Sequence, residues 1–283
     1  MNNYFVIGNP IVHSLSPVIH NHWFRKYNIE GHYEKKKLEE DDLKNFTNDI
    51  RNNKNINGAN ITVPFKKKII NFLDELSSAA QTTQSVNTIV KKNGKIIGYN
   101  TDVSAFNETI KNYIKNKFDN KSLNSLIIGA GGVTSSVISS LVNLNKINNT
   151  LYIMNRTKKK AEDLVLSGLT SSSKRPKVLD WGDIPQNLDI VINTTSVGLV
   201  KDESLNLDFS NYKGTNNTLF YDLIYNPKET NFLTDAKKRG NQIKNGKMMF
   251  LLQAKHAFRL WTNIDVEIDN EVLKLVDQWL EFV

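Results

Sequence analysis

Lys66 and Asp102 are the side chains whose type and setting best suit moving a proton. Lys66 closes the stretch Asn60-Ile61-Thr62-Val63-Pro64-Phe65-Lys66, at the end of an apolar strand, where a proline turn can aim its ammonium into a cleft. Asp102 closes Gly98-Tyr99-Asn100-Thr101-Asp102 at the end of a hairpin, where its carboxylate can hold Lys66 through a charge-assisted hydrogen bond. An ammonium held in that way can protonate the alkoxide that develops as a ketone is reduced. Other routes are closed. The chain has no cysteine, which excludes a thiolate nucleophile, a thiolate zinc site and a disulfide framework, and its 5 histidines form no HExxH pair, so no metal site is expected. A lysine and an aspartate on loops are solvated surface charges in most proteins, so the pair alone does not define a function.

A second group of residues suits a dinucleotide. Gly129-Ala130-Gly131-Gly132-Val133 stands between an apolar strand, Ser125 to Gly129, and a helical stretch, Val133 to Leu144. Its small residues let backbone amides and a helix N-terminus approach a pyrophosphate, although the third glycine of a GxGxxG pattern would fall at Thr134. NAD enzymes commonly place a carboxylate at the end of the following strand, to accept the ribose hydroxyls. Here that position carries Asn155-Arg156-Thr157, with Lys158, Lys159 and Lys160 behind. A planar guanidinium beside a hydroxyl suits a 2′-phosphate, so the expected cofactor is NADP, with Lys160 counted in the set.

The elements that must position these residues read as α/β. Tyr4 to Gly8 is a short strand and Ser16-Pro17 to Tyr27 a helix with proline in its first turn. Tyr33 to Lys37 reads as a strand, Leu43 to Asn52 as a helix, and Gly58 to Val63 as a strand closed by Pro64. Ile69, Phe72, Leu73 and Leu76 have helical spacing over Lys68 to Leu76, and Asn93-Gly94 joins Thr88–Val90 to Lys95–Tyr99 as a hairpin. After a helix from Val103 to Phe118 the strands Ser125–Gly129, Leu151–Met154, Asp189–Asn193 and Leu219–Leu223 alternate with helical stretches such as Lys158 to Leu166. Such alternation predicts a parallel, doubly wound, Rossmann-type sheet. The expected fold is therefore an N-terminal α/β domain plus that dinucleotide domain, with the helices Met248 to Trp261 and Glu271 to Phe282 returning to the first domain. The expected boundaries are 1–103 with 245–283 for the first domain and 104–244 for the second. Ser171-Ser172-Ser173-Lys174 reads as an exposed loop, and Met248 and Met249 as core packing.

Composition sets the class. A chain of 283 residues, 39% hydrophobic and 23% charged, has room for two compact domains. It shows no apolar run of the roughly 18 residues that span a bilayer, and no secretory signal at its start, so a cytoplasmic protein without a membrane partner is expected. The net charge of +8 comes from lysines spread among many asparagines without an arginine-aromatic stripe, so no nucleic-acid partner is expected. A monomer and a homodimer are equally compatible with these features.

The ordered set of motifs resembles the shikimate/quinate dehydrogenase family. Gly8-Asn9-Pro10-Ile11-Val12-His13-Ser14-Leu15-Ser16-Pro17 is similar to its opening signature, and Asn60 to Lys66 to its catalytic-lysine segment. Ser85-Val86-Asn87-Thr88, Gly98 to Asp102, the Gly129 turn, Asn155-Arg156-Thr157, Asn193 to Gly198, Tyr221 to Pro227 and Gln253-Ala254 follow in the family's order. The resemblance implies NADPH-dependent reversible reduction of 3-dehydroshikimate to shikimate, a step toward chorismate and the aromatic amino acids, with Lys66 and Asp102 as the catalytic pair. It implies that Ser14 and Ser16 bind the substrate carboxylate, and that Thr62, Lys66, Asn87, Asp102, Tyr225 and Gln253 line the remaining substrate site. Leu223 and the backbone near Gly246 are implied to border the nicotinamide. Hydroxyls and amides suit a polyhydroxylated ring, because an amide both donates and accepts. The chain departs from the family at Ser196, where proline is frequent, and at Leu199, where methionine is frequent. His13 is read as a structural hydrogen-bonding residue, and Asn100 and Thr101 as shaping the Asp102 loop.

Three other readings use the same residues. A quinate or dual quinate/shikimate dehydrogenase would share almost all of them. A folate-linked dehydrogenase has a similar two-domain plan, but Ser14 and Ser16 argue against it. A catalytically retired ligand-binding protein is disfavoured by the joint presence of Lys66, Asp102 and the glycine turn.

Overall fold

The structure, a computed structural model, describes residues 1–117, 123–144, 150–171, 174–200, 202–212 and 218–282. Phe118, Ser172 and Ser173 lie outside the described residues. The chain divides into two compact units, Met1–Ala105 with Leu251–Val283, and Phe106–Phe250.

The first unit is built on a mixed sheet of β1 (Asn2–Gly8), β2 (Gly31–Lys37), β3 (Ile56–Ile61), β4 (Glu75–Leu76), β5 (Thr88–Lys92) and β6 (Lys95–Tyr99), in the order β2-β1-β3-β5-β6-β4. Strand β1 runs parallel to β2 and β3, whereas β5 is antiparallel to both of its neighbours. The β5–β6 turn has positive φ at both Asn93 (52°) and Gly94 (77°), the conformation that an Asn-Gly hairpin accommodates. Helix α1 (Ser16–Lys26) carries Pro17 in its first turn, and α2 (Leu43–Asn52) buries Leu43, Phe46, Thr47 and Ile50, a single face at helical spacing. The short α3 (Ser78–Thr83) is capped by the Ser77 side chain, which accepts from the Ala80 N–H, and α4 (Thr101–Lys117) begins directly after β6.

Lys68 to Leu76 departs from the helix expected there. A 3-10 turn ends at Phe72, and Glu75–Leu76 pairs in parallel with β6 instead. Asp74 captures that strand: its N–H donates to the Ile96 carbonyl at 3.0 Å, and its carboxylate accepts from the Ile96 N–H at 2.7 Å. Pairing with the sheet thus overrides the local apolar spacing.

The second unit contains β7 (Asn124–Ile128), α5 (Thr134–Val142), β8 (Thr150–Met154), α6 (Lys158–Leu166), β9 (Lys177–Leu179), β10 (Ile190–Asn193), β11 (Leu219–Asp222), α7 (Asn231–Lys238) and β12 (Gln242–Lys244). All strand pairs are parallel, and the order β12-β11-β10-β7-β8-β9 reverses direction between β7 and β10. This is the doubly wound dinucleotide-binding order, in which ligands bind beyond the carboxyl ends of the strands at the reversal. The Gly129 turn follows β7 and Thr194 follows β10, so both flank that point.

Helix α8 (Lys247–Thr262) begins in the second unit and carries the chain back to the first, where α9 (Asn270–Phe282) also lies. Trp261 of α8 donates from Nε1 to the Ile89 carbonyl at 2.9 Å, and its ring packs at a tilt against Tyr4, with centroids 4.9 Å apart. Met249 is buried and Met248 half-buried, consistent with packing.

Candidate functional site

Lys66 follows β3 after a turn in which the Phe65 N–H donates to the Thr62 carbonyl, and its own carbonyl accepts from the Val86 N–H at 2.8 Å. Its Nζ donates to Asp102 Oδ2 at 2.7 Å, with the two side chains 17% and 7% exposed. An ion pair this far from water is weakly screened, so its geometry is worth more than that of a surface pair. Asp102 does not end the hairpin as the sequence suggested but sits in the first turn of α4, where the helix dipole favours a carboxylate. Its N–H donates to Asn100 Oδ1 at 3.1 Å, and Asn100 in turn donates to Thr83 Oγ1 at 2.9 Å. Asn100 therefore shapes this loop.

Asn87 holds the other carboxylate oxygen. Its Nδ2 donates to Asp102 Oδ1 at 2.9 Å, while its Oδ1 accepts from the Thr101 N–H at 2.8 Å. A backbone N–H can only donate, so the amide orientation is fixed. Thr101 Oγ1 donates to the Gln253 carbonyl at 3.1 Å, which ties α8 to the start of α4.

Thr62 and the two serines occupy adjacent loops. The Thr62 N–H donates to the Ile7 carbonyl at 2.9 Å, and the Asn9 N–H donates to the Val63 carbonyl at 3.0 Å, which places Thr62 against the end of β1. Gly8 makes this approach possible, because a Cβ there would lie 2.4 Å from Thr62 Cγ2. Ser14 Oγ accepts from the Ser16 N–H at 3.4 Å, so the two serine side chains start from one turn at the head of α1. His13 is exposed and makes no hydrogen bond to any described residue, so the structural role expected for it is not seen.

In the second unit, Gly129 has φ +114°, and a Cβ there would meet Thr194 Oγ1 at 2.6 Å, whereas a Cβ at Gly131 would meet nothing within 4 Å. The turn is therefore tight at its first glycine and open at its second, where a pyrophosphate would approach. Thr134, in place of the third glycine, is buried, and its hydroxyl bonds Thr194 Oγ1 at 2.9 Å. Thr194 also bonds the Ile128 carbonyl, through both its N–H and its hydroxyl at 2.8 Å. A hydroxyl pair thus joins α5 to the β10 end across the sheet reversal.

The basic residues after β8 are not equivalent. Lys158 pairs with Asp180 at 2.8 Å and Lys159 with Asp163 at 3.0 Å. Arg156 and Lys160 are exposed and form no ion pair among the described residues, and Thr157 precedes α6 without using its hydroxyl as a cap. A guanidinium, an ammonium and a hydroxyl with no carboxylate competing for them fit an adenosine 2′-phosphate. Asn155 donates to the Thr157 carbonyl at 2.8 Å and shapes that turn.

Beyond β10 and β11 lies a buried polar knot. Asp222 is 0% exposed and accepts from Asn193 Nδ2 (3.1 Å), the Ile224 N–H (3.0 Å) and the Thr230 hydroxyl (2.7 Å). Burial outweighs these donors and pushes its carboxyl up to about 6. The knot fixes Leu223, whose N–H donates to the Asn193 carbonyl at 3.0 Å, and Gly246, whose N–H donates to the Ile224 carbonyl at 3.0 Å. Ser196 lies within the same loop, where the Asn193 side chain also donates to the Val197 carbonyl at 3.2 Å. Tyr225 stacks on Phe250, with centroids 4.6 Å apart.

Comparison with known proteins decides the family. Residues 6–89 match the family model described as the shikimate dehydrogenase substrate binding domain, and residues 112–231 match that of shikimate / quinate 5-dehydrogenase. The NADP(+) shikimate dehydrogenase of Pelagibacter ubique is 45% identical over 276 residues, covering 97% of this chain and 98% of its own. Among solved structures, the shikimate dehydrogenase of Aquifex aeolicus superposes with a TM-score of 0.85 at 31% identity, over 99% of this chain and 97% of that one. The enzyme of Thermus thermophilus, in complex with NADP(H) and shikimate, gives 0.82 at 27% identity, over 100% and 99%. The chain belongs to the shikimate dehydrogenase family.

Set against the shikimate dehydrogenase motifs, Lys66, Asn87 and Asp102 form one hydrogen-bonded group, and Ser14 and Ser16 share one turn. Tyr225, Leu223 and Gly246 lie in the second unit, with the Gly129 turn and Arg156. Four contributors were not singled out from sequence: Asn60, Thr88 and Tyr33 behind Asn87, and Asp222 behind Leu223. Asn60, Thr88 and Asp222 lie inside quoted motifs, as polar residues on apolar strands, which is the signal that would have marked them.

Proposed function

We propose that this chain carries out NADPH-dependent, reversible reduction of 3-dehydroshikimate to shikimate, with Lys66 and Asp102 handling the proton. The observation that carries the reading is the sheltered Lys66–Asp102 pair at 2.7 Å, with Asn87 on the second carboxylate oxygen. Bound NADPH supplies a hydride to the ring carbonyl carbon. Lys66 Nζ gives its proton to the carbonyl oxygen as negative charge develops there, and the oxidation of shikimate returns that proton to the amine. Asp102 orients the ammonium and accepts its hydrogen bond throughout, so the donor is positioned before reaction and needs no reorganisation.

Ser14 and Ser16 donate to the substrate carboxylate, and Thr62, Asn87, Tyr225 and Gln253 complete the substrate site. The amides among them answer ring hydroxyls in either sense. Gly129, Ala130, Gly131, Gly132 and Val133 hold the pyrophosphate. Asn155, Arg156, Thr157 and Lys160 hold the 2′-phosphate, and Leu223 and Gly246 border the nicotinamide. On this reading residues 1–103 with 245–283 form the substrate-binding catalytic domain and 104–244 the NADP domain. Among the described residues no helix is long and apolar enough to cross a membrane, and a cytoplasmic enzyme, monomeric or homodimeric, fits the reading.

Quinate is the second substrate to weigh, because the family model matching residues 112–231 is described for both acids. Initial rates on shikimate and on quinate, each with NADP+ and with NAD+, test the proposal. Shikimate with NADP+ is expected to be the best combination by at least about tenfold in kcat/KM, the scale of one charge-assisted contact. Equal or better turnover of quinate with NAD+ overturns it.

A further inference from the structure

Behind the catalytic pair, a chain of buried side chains runs from Tyr33 to Asp102 with every hydrogen bond pointing one way. Asn60 fixes its polarity. Asn60 Nδ2 donates to the Asn87 carbonyl at 3.1 Å, so its Oδ1 must face Tyr33, and the Tyr33 phenol must donate to it, at 2.6 Å. In the other direction Asn60 Nδ2 donates to Thr88 Oγ1 at 3.0 Å, Thr88 donates to Asn87 Oδ1 at 3.1 Å, and Asn87 donates to Asp102 Oδ1 at 2.9 Å. Tyr33, Asn60, Thr88 and Asn87 are all 5% exposed or less, so water does not compete for these bonds.

The Tyr33 ring is held for this task. Strand β2 is a sheet edge, and the outward backbone groups of Tyr33 are both taken by one side chain of α1. Asn21 donates to its carbonyl at 2.8 Å and accepts from its N–H at 2.9 Å. The ring stacks on His20, with centroids 4.4 Å apart and planes 12° apart. His20 is fully buried, neither ring nitrogen has a hydrogen-bond partner among the described residues, and burial pushes its pKa down to about 3, so it presents a neutral face.

We propose that Tyr33 is a positioning residue for the catalytic pair. Through Asn60, Thr88 and Asn87 it holds Asp102 in line with Lys66. The inference rests on the assignment of Asp102 to proton transfer.

The test is the kinetics of Tyr33→Phe, which keeps the ring and removes the hydroxyl, and of Thr88→Val, which cuts the same chain further on without changing side-chain shape. For Tyr33→Phe the expected result is about a tenfold fall in kcat for shikimate oxidation, the scale of one lost buried hydrogen bond. Its KM for shikimate and its KM for NADP+ should each stay within about twofold of the parent's, as expected when a group acts by positioning and not by binding. Thr88→Val should show the same fall in kcat, and the double variant should lose no more than the larger single loss. A Tyr33→Phe kcat within about twofold of the parent, a rise in both KM values, or losses that multiply in the double variant would overturn the relay. Should Tyr33→Phe fail to fold, Thr88→Val carries the test alone, by its kcat and its two KM values. Asp102→Asn serves as control: parent-rate turnover there would instead remove the catalytic assignment on which the relay depends.

Discussion

The two units treat charge in opposite ways. In the first, the groups assigned to chemistry are committed to one another: Lys66 to Asp102, Asp102 to Asn87, Asn87 to Thr101, with little exposure. In the second, Arg156 and Lys160 are exposed and have no carboxylate partner among the described residues, while their neighbours Lys158 and Lys159 are already paired. The difference follows from what each site must do. A proton donor gains from being fixed before the transition state, because reorganisation then costs nothing at the moment of reaction. A phosphate site gains from cations that lose no partner when the ligand arrives.

The contrast can be broken most severely at the committed end. Asp102→Asn keeps the shape and removes the charge that orients Lys66, and kcat for shikimate oxidation should fall by about 10²- to 10³-fold, the range of a misplaced general acid or base. Steady-state rates at saturating NADP+ check this, and a loss below about fivefold would show that the pair is ornamental. At the open end, Arg156→Ala should raise KM for NADP+ by about 10- to 30-fold, as one charge-assisted hydrogen bond to a phosphate is lost, and leave KM for NAD+ within about twofold. An equal rise for both dinucleotides would place Arg156 away from the 2′-phosphate.

Asp222 sharpens the comparison, because it is a committed group within the second unit. Its folded carboxyl, at about 6, lies above its ordinary value of 3.8, so the folded state disfavours the ionised form. Its contribution to stability is fully present below about pH 4 and is lost as pH rises toward 6. Against an Asp222→Asn variant, the parent should lose roughly 1–3 kcal/mol between pH 4 and 7, read from denaturant midpoints at several pH values. A parent that gains on the variant over that range would reverse the sign assigned here. The smallest effect belongs to Lys159. Its pair with Asp163, four residues on along α6, is exposed and screened by water, and Lys159→Ala should leave KM for NADP+ within about twofold. A larger rise would bring Lys159 into the phosphate site beside Arg156.

Much of this was legible in the sequence, for identifiable reasons. Helices α2 and α6 carry complete amphipathic or bounded patterns, and Asn93-Gly94 specifies its turn by backbone conformation alone, so those elements stand where the sequence put them. The strand–glycine–helix order around Gly129 likewise needs only local information. What was not legible depends on register and pairing. Nothing near Lys68 to Leu76 announces that Asp74 will bond the Ile96 backbone, so an apolar spacing that suits a helix ends as a strand. Helix α7 and strand β12 are short and polar, and Thr230 caps the former by accepting from the Leu233 N–H. At the site, the spacing could nominate Lys66 and Asp102 but not the side chains behind them. Tyr33 meets Asn60 only because β2 and β3 both flank β1, a neighbourhood that exists in the sheet and not along the chain.

The assignment of proton transfer to Lys66 is tested most directly by single-turnover reduction of 3-dehydroshikimate with saturating NADPH, followed by loss of nicotinamide absorbance, in the parent and in Lys66→Ala. The expected result is a fall of about 10²- to 10⁴-fold in the rate of hydride transfer, with substrate affinity in a direct binding titration changed by no more than about fivefold. A Lys66→Ala enzyme that reduces the ketone at the parent rate would contradict it.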